Sequence, residues 1–201
     1  MKINNEIYLV DYLRTPFSRA RPGNPERSAF SHLKGFELVG LTLTELFTKR
    51  MAGQLSAADI SEFYASCALP VGSNWPYGGR NAWFAGEKTP VTVPTVFIDR
   101  ACGSAMTAMH MGIQSMMTGY NEAIVVSGFE HMYAEPLTPD YQKNTELPGS
   151  LVKQEEGNIF YRDDVDLLTG FQMVSTAQKL FEEEVDHFTR EDMDRFSVRS
   201  H

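Results

Sequence analysis

Two cysteines among 201 residues are too few for a disulfide framework. An apolar leader is lacking as well, since MKINNEIYLV is too polar to serve as a secretory signal. Both absences point to a reducing, cytoplasmic setting. No apolar run approaches the roughly 20 residues that span a bilayer. Positive charge is scarce: 18 Lys and Arg stand against 26 Asp and Glu, a net charge of -8 with no basic block to offset it. That balance disfavours nucleic acid and anionic membrane surfaces, and leaves a small molecule or another protein as partner. His, Cys, Asp and Glu fall in no metal-ligand spacing, and there is neither a phosphate-cradling glycine loop nor an internal repeat.

With 42% hydrophobic and 22% charged residues the chain has an ordinary globular balance, enough for one sizeable core. Residues 1–135 alternate extended and helical patterns, which predicts an α/β fold with parallel strands joined by helices. EIYLVDYL (6–13) reads as the first strand, followed by a Pro-punctuated loop. Phe36, Val39, Leu43, Leu46 and Phe47 recur at spacings of three and four, an amphipathic helix that Gly53 closes. DISEFYASCAL (59–69) is a second strand, WPYGGRNAWFAGE (75–87) a glycine-broken short helix, and PTVFIDRA (94–101) a third strand. A helix over about 103–117 stops at Gly119, and EAIVVSGF (122–129) reads as a fully buried fourth strand. Residues 136–166 are rich in Pro, Asn, Asp and Gly. Helices then follow over about 168–184 and 190–200, the last opened by a capping-box pair, Thr189 and Asp192. Residues 136–201 therefore read as an insertion, and a final helix with no stop signal reads as part of something larger.

Cys102 lies where the third strand turns into a helix, in DRACGSAMTAMHMG (99–112). That place is the carboxyl edge of the sheet, where open α/β folds hold ligands. The helix start offers partial positive charge and backbone N–H groups, which suit a thiolate nucleophile and a developing oxyanion, and Gly103, Ser104 and Ala105 leave room for a substrate. Position alone leaves a buried, structural cysteine equally open. Cys67, inside an apolar strand with no such turn after it, reads as core.

RTPF after the first strand, the stretch VPTVFIDRACGSAMTAMHMGIQSMMTGYNEAIVVSGFEHM and the helical FTREDMDRFSVRSH together resemble the N-terminal half of a thiolase. The family's V-C-G/A-S-G stretch is met by Ala101 to Ala105, and its G-G-M-E-x-M by Ser127 to Met132. The resemblance implies a mixed, mostly parallel five-stranded sheet with helices on both faces over residues 1–135, and part of an inserted loop domain over 136–201. It implies Cys102 as the nucleophile that takes an acyl group from a coenzyme A thioester, with its own N–H in the oxyanion hole. The implied activity is acyl-CoA C-acyltransfer through an acyl-cysteine, with Claisen condensation or its thiolytic reverse. No cofactor is implied beyond acyl-CoA and coenzyme A as substrates. A homodimer or tetramer, or a complementing C-terminal half, is the implied protein partner. QMVSTAQ (172–178) stands where thiolases carry H-M-G-x-T-A-E. Met173 is then an acyl-pocket wall, while Gln172 and Val174 replace the usual histidine and glycine.

The family's activating Gly-His-Pro histidine, its Asn-Glu-Ala-Phe asparagine and its Cys-x-Gly acid/base do not occur as such. NEAI (121–124) imitates the asparagine motif in the wrong context. His110, about two turns and some 12 Å past Cys102, is too far to take its proton and reads as a core or interface residue. His131 reads as structural, and His32, His187 and His201 as surface. The methionines at 106, 109, 111, 116 and 117 read as core filler. Two other readings remain: a decarboxylating ketosynthase half, and a split thiolase-fold module that turns nothing over alone.

Overall fold

The computed structural model describes residues 6–21, 23–136, 151, 154, 156–164, 173–184 and 187–201. The chain forms two compact units, Met1–Leu137 and Thr138–His201.

In the first unit, helix α1 (Gly35–Glu45) starts where the Lys34 N–H donates to the Glu37 carboxylate at 2.7 Å. It widens into a looser turn over Leu46–Arg50 before Gly53, at φ 77°, ends the run. Strand β1 (Glu62–Cys67), short helix α2 (Arg80–Phe84), strand β2 (Thr95–Ile98), helix α3 (Ser104–Met117) and strand β3 (Ile124–Phe129) follow in order. The strands make a parallel sheet in the order β2-β1-β3, with Ala65 opposite Phe97 on one side and Ser127 on the other.

β1 is central, and its alternation sorts the helices into two layers. Phe63 and Ala65 point into the main core with Val39, Leu43 and Phe47 from α1, and Ala82 and Trp83 from α2. Trp83 is fully buried against the Phe63 ring, 5.1 Å between centroids, and its indole N–H donates to the Pro90 carbonyl at 2.8 Å. Tyr64 and Ser66 point the other way. There Ser66 shares its surroundings with Gly128, where a side chain would stand 2.8 Å from the Ala105 methyl. A side chain at Gly112 would likewise meet Ile124 at 2.3 Å. Small residues thus let α3 lie close on β3.

Four expectations change. Residues 6–13 form no strand: Tyr8, Leu9, Val10 and Tyr12 are 70–80% exposed, because nothing among the described residues pairs with this segment. Among the described residues the sheet has three strands, all parallel, rather than five. β3 is half-buried rather than fully buried, since it lies at a sheet edge. Met106, Met109 and Met111 are exposed, because α3 buries only Ser104, Ala108 and Gly112.

The second unit shows helices α4 (Met173–Glu183) and α5 (Arg190–Ser200). The capping box forms as expected: the Asp192 N–H donates to the Thr189 hydroxyl, and the Thr189 N–H to the Asp192 carboxylate at 2.9 Å. No helix among the described residues is long and apolar enough to cross a membrane.

Candidate active site

Because all three strands are parallel, the turns after β1, β2 and β3 emerge at the same, carboxyl edge of the sheet. The turn after β2 carries Cys102, in a single tight turn Ala101–Gly103 that runs straight into α3. Cys102 is exposed and joins no disulfide. Ala101, the residue before it, has φ 46°, a left-handed conformation that costs a residue with a Cβ of order 1 kcal/mol and persists only where neighbours enforce it.

Ser104 does the enforcing. It is 3% exposed; its hydroxyl accepts the Arg100 N–H at 2.8 Å and donates to the Ala101 carbonyl at 2.7 Å, closing the turn from inside. The Gly103 N–H donates to the Arg100 carbonyl at 3.0 Å, and the Ala101 N–H to Asp99 at 3.3 Å. A rigid strand, a strained turn and a helix therefore hold one exposed thiol at the carboxyl edge of the sheet.

The turns after β1 and β3 are fastened to each other by a half-buried carboxylate. Glu130 Oε2 accepts the Ala68 and Leu69 N–H groups at 3.0 and 3.2 Å and the Cys67 thiol at 3.3 Å, while Oε1 accepts the Asn74 amide at 2.7 Å. Asn74, fully buried, accepts the His131 N–H at 3.2 Å, and Glu135 accepts the Ser73 N–H at 2.6 Å. Burial, opposed by these hydrogen bonds, raises the Glu130 pKa. Burial and then the neighbouring Glu130 charge push the Cys67 thiol up to about 12.

Sequence comparison decides the family. The model for the thiolase N-terminal domain matches residues 7–201. The chain belongs to the thiolase family. It is 27% identical over 195 residues to the 3-ketoacyl-CoA thiolase of Photorhabdus laumondii, covering 97% of this chain and 44% of that protein. Identity to the 3-ketoacyl-CoA thiolase of Escherichia coli O1:K1 is 28% over 196 residues, again 44% of its length. Among solved structures, Acat5 thiolase from Ascaris suum in complex with coenzyme A superposes with a TM-score of 0.59 at 25% identity, over 87% of this chain and 43% of that one. The chain thus spans less than half the length of the thiolases it matches.

Within this thiolase fold the sequence-derived site residues divide. Cys102 stands on the carboxyl edge of the first unit. Met173 opens α4 of the second unit with its side chain 71% exposed, and Gln172 lies outside the described residues. His131 is 4% exposed, and its Nε2 sits 3.0 Å from the Phe30 carbonyl, so the ring ties residue 30 to the turn after β3. His110 is exposed on α3, which removes the core part of its expected role. Among the described residues no histidine or carboxylate hydrogen-bonds to Cys102, and no group of His, Cys, Asp and Glu is arranged to hold a metal ion.

NEAI has a structural use. The Asn121 amide donates to Glu62 at 2.9 Å and Ser115 at 3.0 Å, joining the end of α3 to the start of β1. Sequence reading missed Glu130, and took Ser104 only as a small residue leaving room for a substrate, whereas it is buried and closes the turn. The available signals were a carboxylate directly after an apolar strand and a hydroxyl in the first turn of a helix of small residues.

Proposed function

We propose that this chain supplies the nucleophile-bearing part of an acyl-CoA C-acyltransferase, working through an acyl-cysteine on Cys102. The observation that carries this reading is the exposed Cys102 thiol on a strained strand-to-helix turn, in a chain whose relatives are named 3-ketoacyl-CoA thiolases. In thiolysis the Cys102 sulfur attacks the 3-keto carbonyl of the coenzyme A thioester. A sulfur–carbon bond forms and the C2–C3 bond breaks. The electron pair goes to C2, which takes a proton and leaves as acetyl-CoA. The thiol of free coenzyme A then takes the acyl group from sulfur. Claisen condensation is the reverse. The backbone N–H of Cys102 is one oxyanion donor in this scheme, and Met173 and Gln172 contribute to the acyl pocket.

The reaction calls for no cofactor besides its thioester substrates, and the net charge of -8 fits a cytoplasmic enzyme that does not hold nucleic acid. The base for Cys102 and the acid for C2 come from a C-terminal portion, within a homodimer or tetramer or from a complementing chain. A missing acid/base costs about 10²–10⁴-fold and a missing oxyanion donor about 10²–10³-fold, so the isolated chain is a module of the enzyme and not a working catalyst.

Intact mass after incubation with acetyl-CoA tests the reading. One added acetyl group is expected on the wild-type chain supplied with a thiolase C-terminal portion, and none on Cys102→Ala. The chain alone is expected to show no thiolytic turnover of acetoacetyl-CoA. Acetylation that survives Cys102→Ala overturns the assignment.

A further inference from the structure

The Ser104 hydroxyl meets no substrate: the residue is 3% exposed, and both the hydroxyl proton and a lone pair are engaged inside the turn. Its proton goes to the Ala101 carbonyl at 2.7 Å, which also accepts the Ser104 N–H. That carbonyl is one half of a peptide group whose other half is the Cys102 N–H. No peptide bond among the described residues is cis, so the C=O and N–H of this planar group point in opposite directions. Holding the Ala101 oxygen toward α3 therefore holds the Cys102 N–H away from α3.

The neighbouring donors are all occupied. Arg100 donates to the Ser104 hydroxyl, Ala101 to Asp99, Gly103 to the Arg100 carbonyl and Ser104 to the Ala101 carbonyl. Of the backbone N–H groups from Arg100 to Ser104, that of Cys102 alone meets no acceptor among the described residues. The left-handed Ala101 belongs to the same device, because a right-handed φ there would swing the Ala101–Cys102 peptide to another direction. One fixed, unoccupied donor thus stands on the same residue as the exposed thiol. A donor set in place beforehand, needing no reorganisation as charge develops, is what stabilises an oxyanion.

We infer that Ser104 is the positioning residue for this oxyanion donor: its hydroxyl sets the Ala101–Cys102 peptide so that the Cys102 N–H faces the oxygen of an acyl group under attack by the Cys102 sulfur. The inference rests on the acyl-transfer reading and deepens it. As the sulfur–carbon bond forms, the carbonyl electron pair moves onto oxygen and the Cys102 N–H receives that charge. The pair returns to re-form the carbonyl when the leaving group departs. Ser104 transfers no proton in these steps, since its own stays on the Ala101 carbonyl. Loss of its hydroxyl therefore acts on reactions of Cys102 that pass through an oxyanion and spares those that do not.

The test sets two reactions of one thiol side by side on the 201-residue chain. p-Nitrophenyl acetate acylates Cys102 through a tetrahedral oxyanion and releases p-nitrophenolate, whereas iodoacetamide alkylates it by direct displacement of iodide. Ser104→Ala is expected to slow acylation about tenfold or more and alkylation less than about threefold. Ser104→Thr, which keeps the hydroxyl, is expected to restore acylation. Buried Cys67 staying unlabelled reports that each variant is folded. Equal slowing of the two reactions makes Ser104 a structural part of the turn and overturns the proposal, as do unchanged acylation in Ser104→Ala and a Ser104→Thr variant no faster than it. Amide hydrogen exchange on the wild-type chain needs no variant. The Cys102 amide is expected to exchange about tenfold or more faster than that of Gly103, and a Cys102 amide as protected as Gly103 overturns the proposal. p-Nitrophenyl acetate carries no coenzyme A, so a Ser104-dependent acylation stands even where acetyl-CoA leaves Cys102 unmodified, and that second result counts against the acyl-CoA reading alone.

Discussion

The two cysteines of this chain sit at comparable places, each at the carboxyl end of a parallel strand, and the surroundings make them chemical opposites. Cys67 closes the central strand, 2% exposed, its thiol donated to the half-buried Glu130 carboxylate and held protonated far into the alkaline range. Cys102 follows an edge strand and stands exposed on a turn that is strained to present it. Residue type is therefore silent about role. What separates the two is whether the following backbone folds inward, as Ala68 and Leu69 do onto Glu130, or turns outward through a left-handed residue into a helix.

The sharpest way to break this comparison is alkylation. Iodoacetamide at neutral pH is expected to modify Cys102 first, with Cys67 slower on the order of 10³-fold, because Cys67 reacts only through openings that cost about 4 kcal/mol. Peptide mapping over time measures the ratio, and equal rates would erase the distinction. The folded pKa of Cys67 lies above its ordinary value, so the folded chain keeps this proton after the unfolded chain has lost it. Stability contributed at this site is expected to fall as pH rises from 9.0 to about 12, and Cys67→Ala should remove that part of the slope in urea titrations.

A smaller effect tests the buried side alone. Glu130→Ala leaves two backbone N–H groups and the Asn74 amide without their acceptor, and is expected to cost about 2–4 kcal/mol by denaturant midpoint. Glu130→Gln keeps an acceptor and should cost less. It should also remove a pH dependence of known sign. Burial raises the folded pKa, so the wild-type chain loses stability as pH climbs from the ordinary carboxylate value through the folded one. A wild-type chain that gained stability over that window would show that hydrogen bonding, not burial, governs Glu130.

Much of this arrangement was legible in the sequence. The periodicity of Phe36 to Phe47, the β-branched run before Asp99 and the Thr189–Asp192 pair are local signals, and the elements they predict are the ones observed. Cys67 reads as core from its apolar strand and is buried, whereas position alone leaves Cys102 open between a nucleophile and a buried structural cysteine, and only the family resemblance favours the nucleophile; the structure exposes it. What failed depends on partners distant in sequence. Residues 6–13 have strand composition, but a strand exists only when a neighbour accepts its hydrogen bonds. The methionines of α3 look like core until one knows how few strands the helix covers. Glu130 was invisible for the same reason, since its donors lie more than 50 residues away.

The smallest expected effect probes the strain beneath Cys102. At φ 46° Ala101 carries a Cβ in a backbone region that glycine occupies freely, so Ala101→Gly relieves strain in the folded state. Glycine also widens the unfolded ensemble, which offsets part of that gain. The net expectation is a stabilisation of about 0.5 kcal/mol, read from the denaturant midpoint at constant slope. Ser104 still closes the turn through Arg100 and the Ala101 carbonyl, so Cys102 should stay as readily alkylated as before. A destabilisation of about 1 kcal/mol, the ordinary cost of an interior glycine, would mean that the left-handed turn is not what presents this thiol, and the contrast with Cys67 would then rest on burial alone.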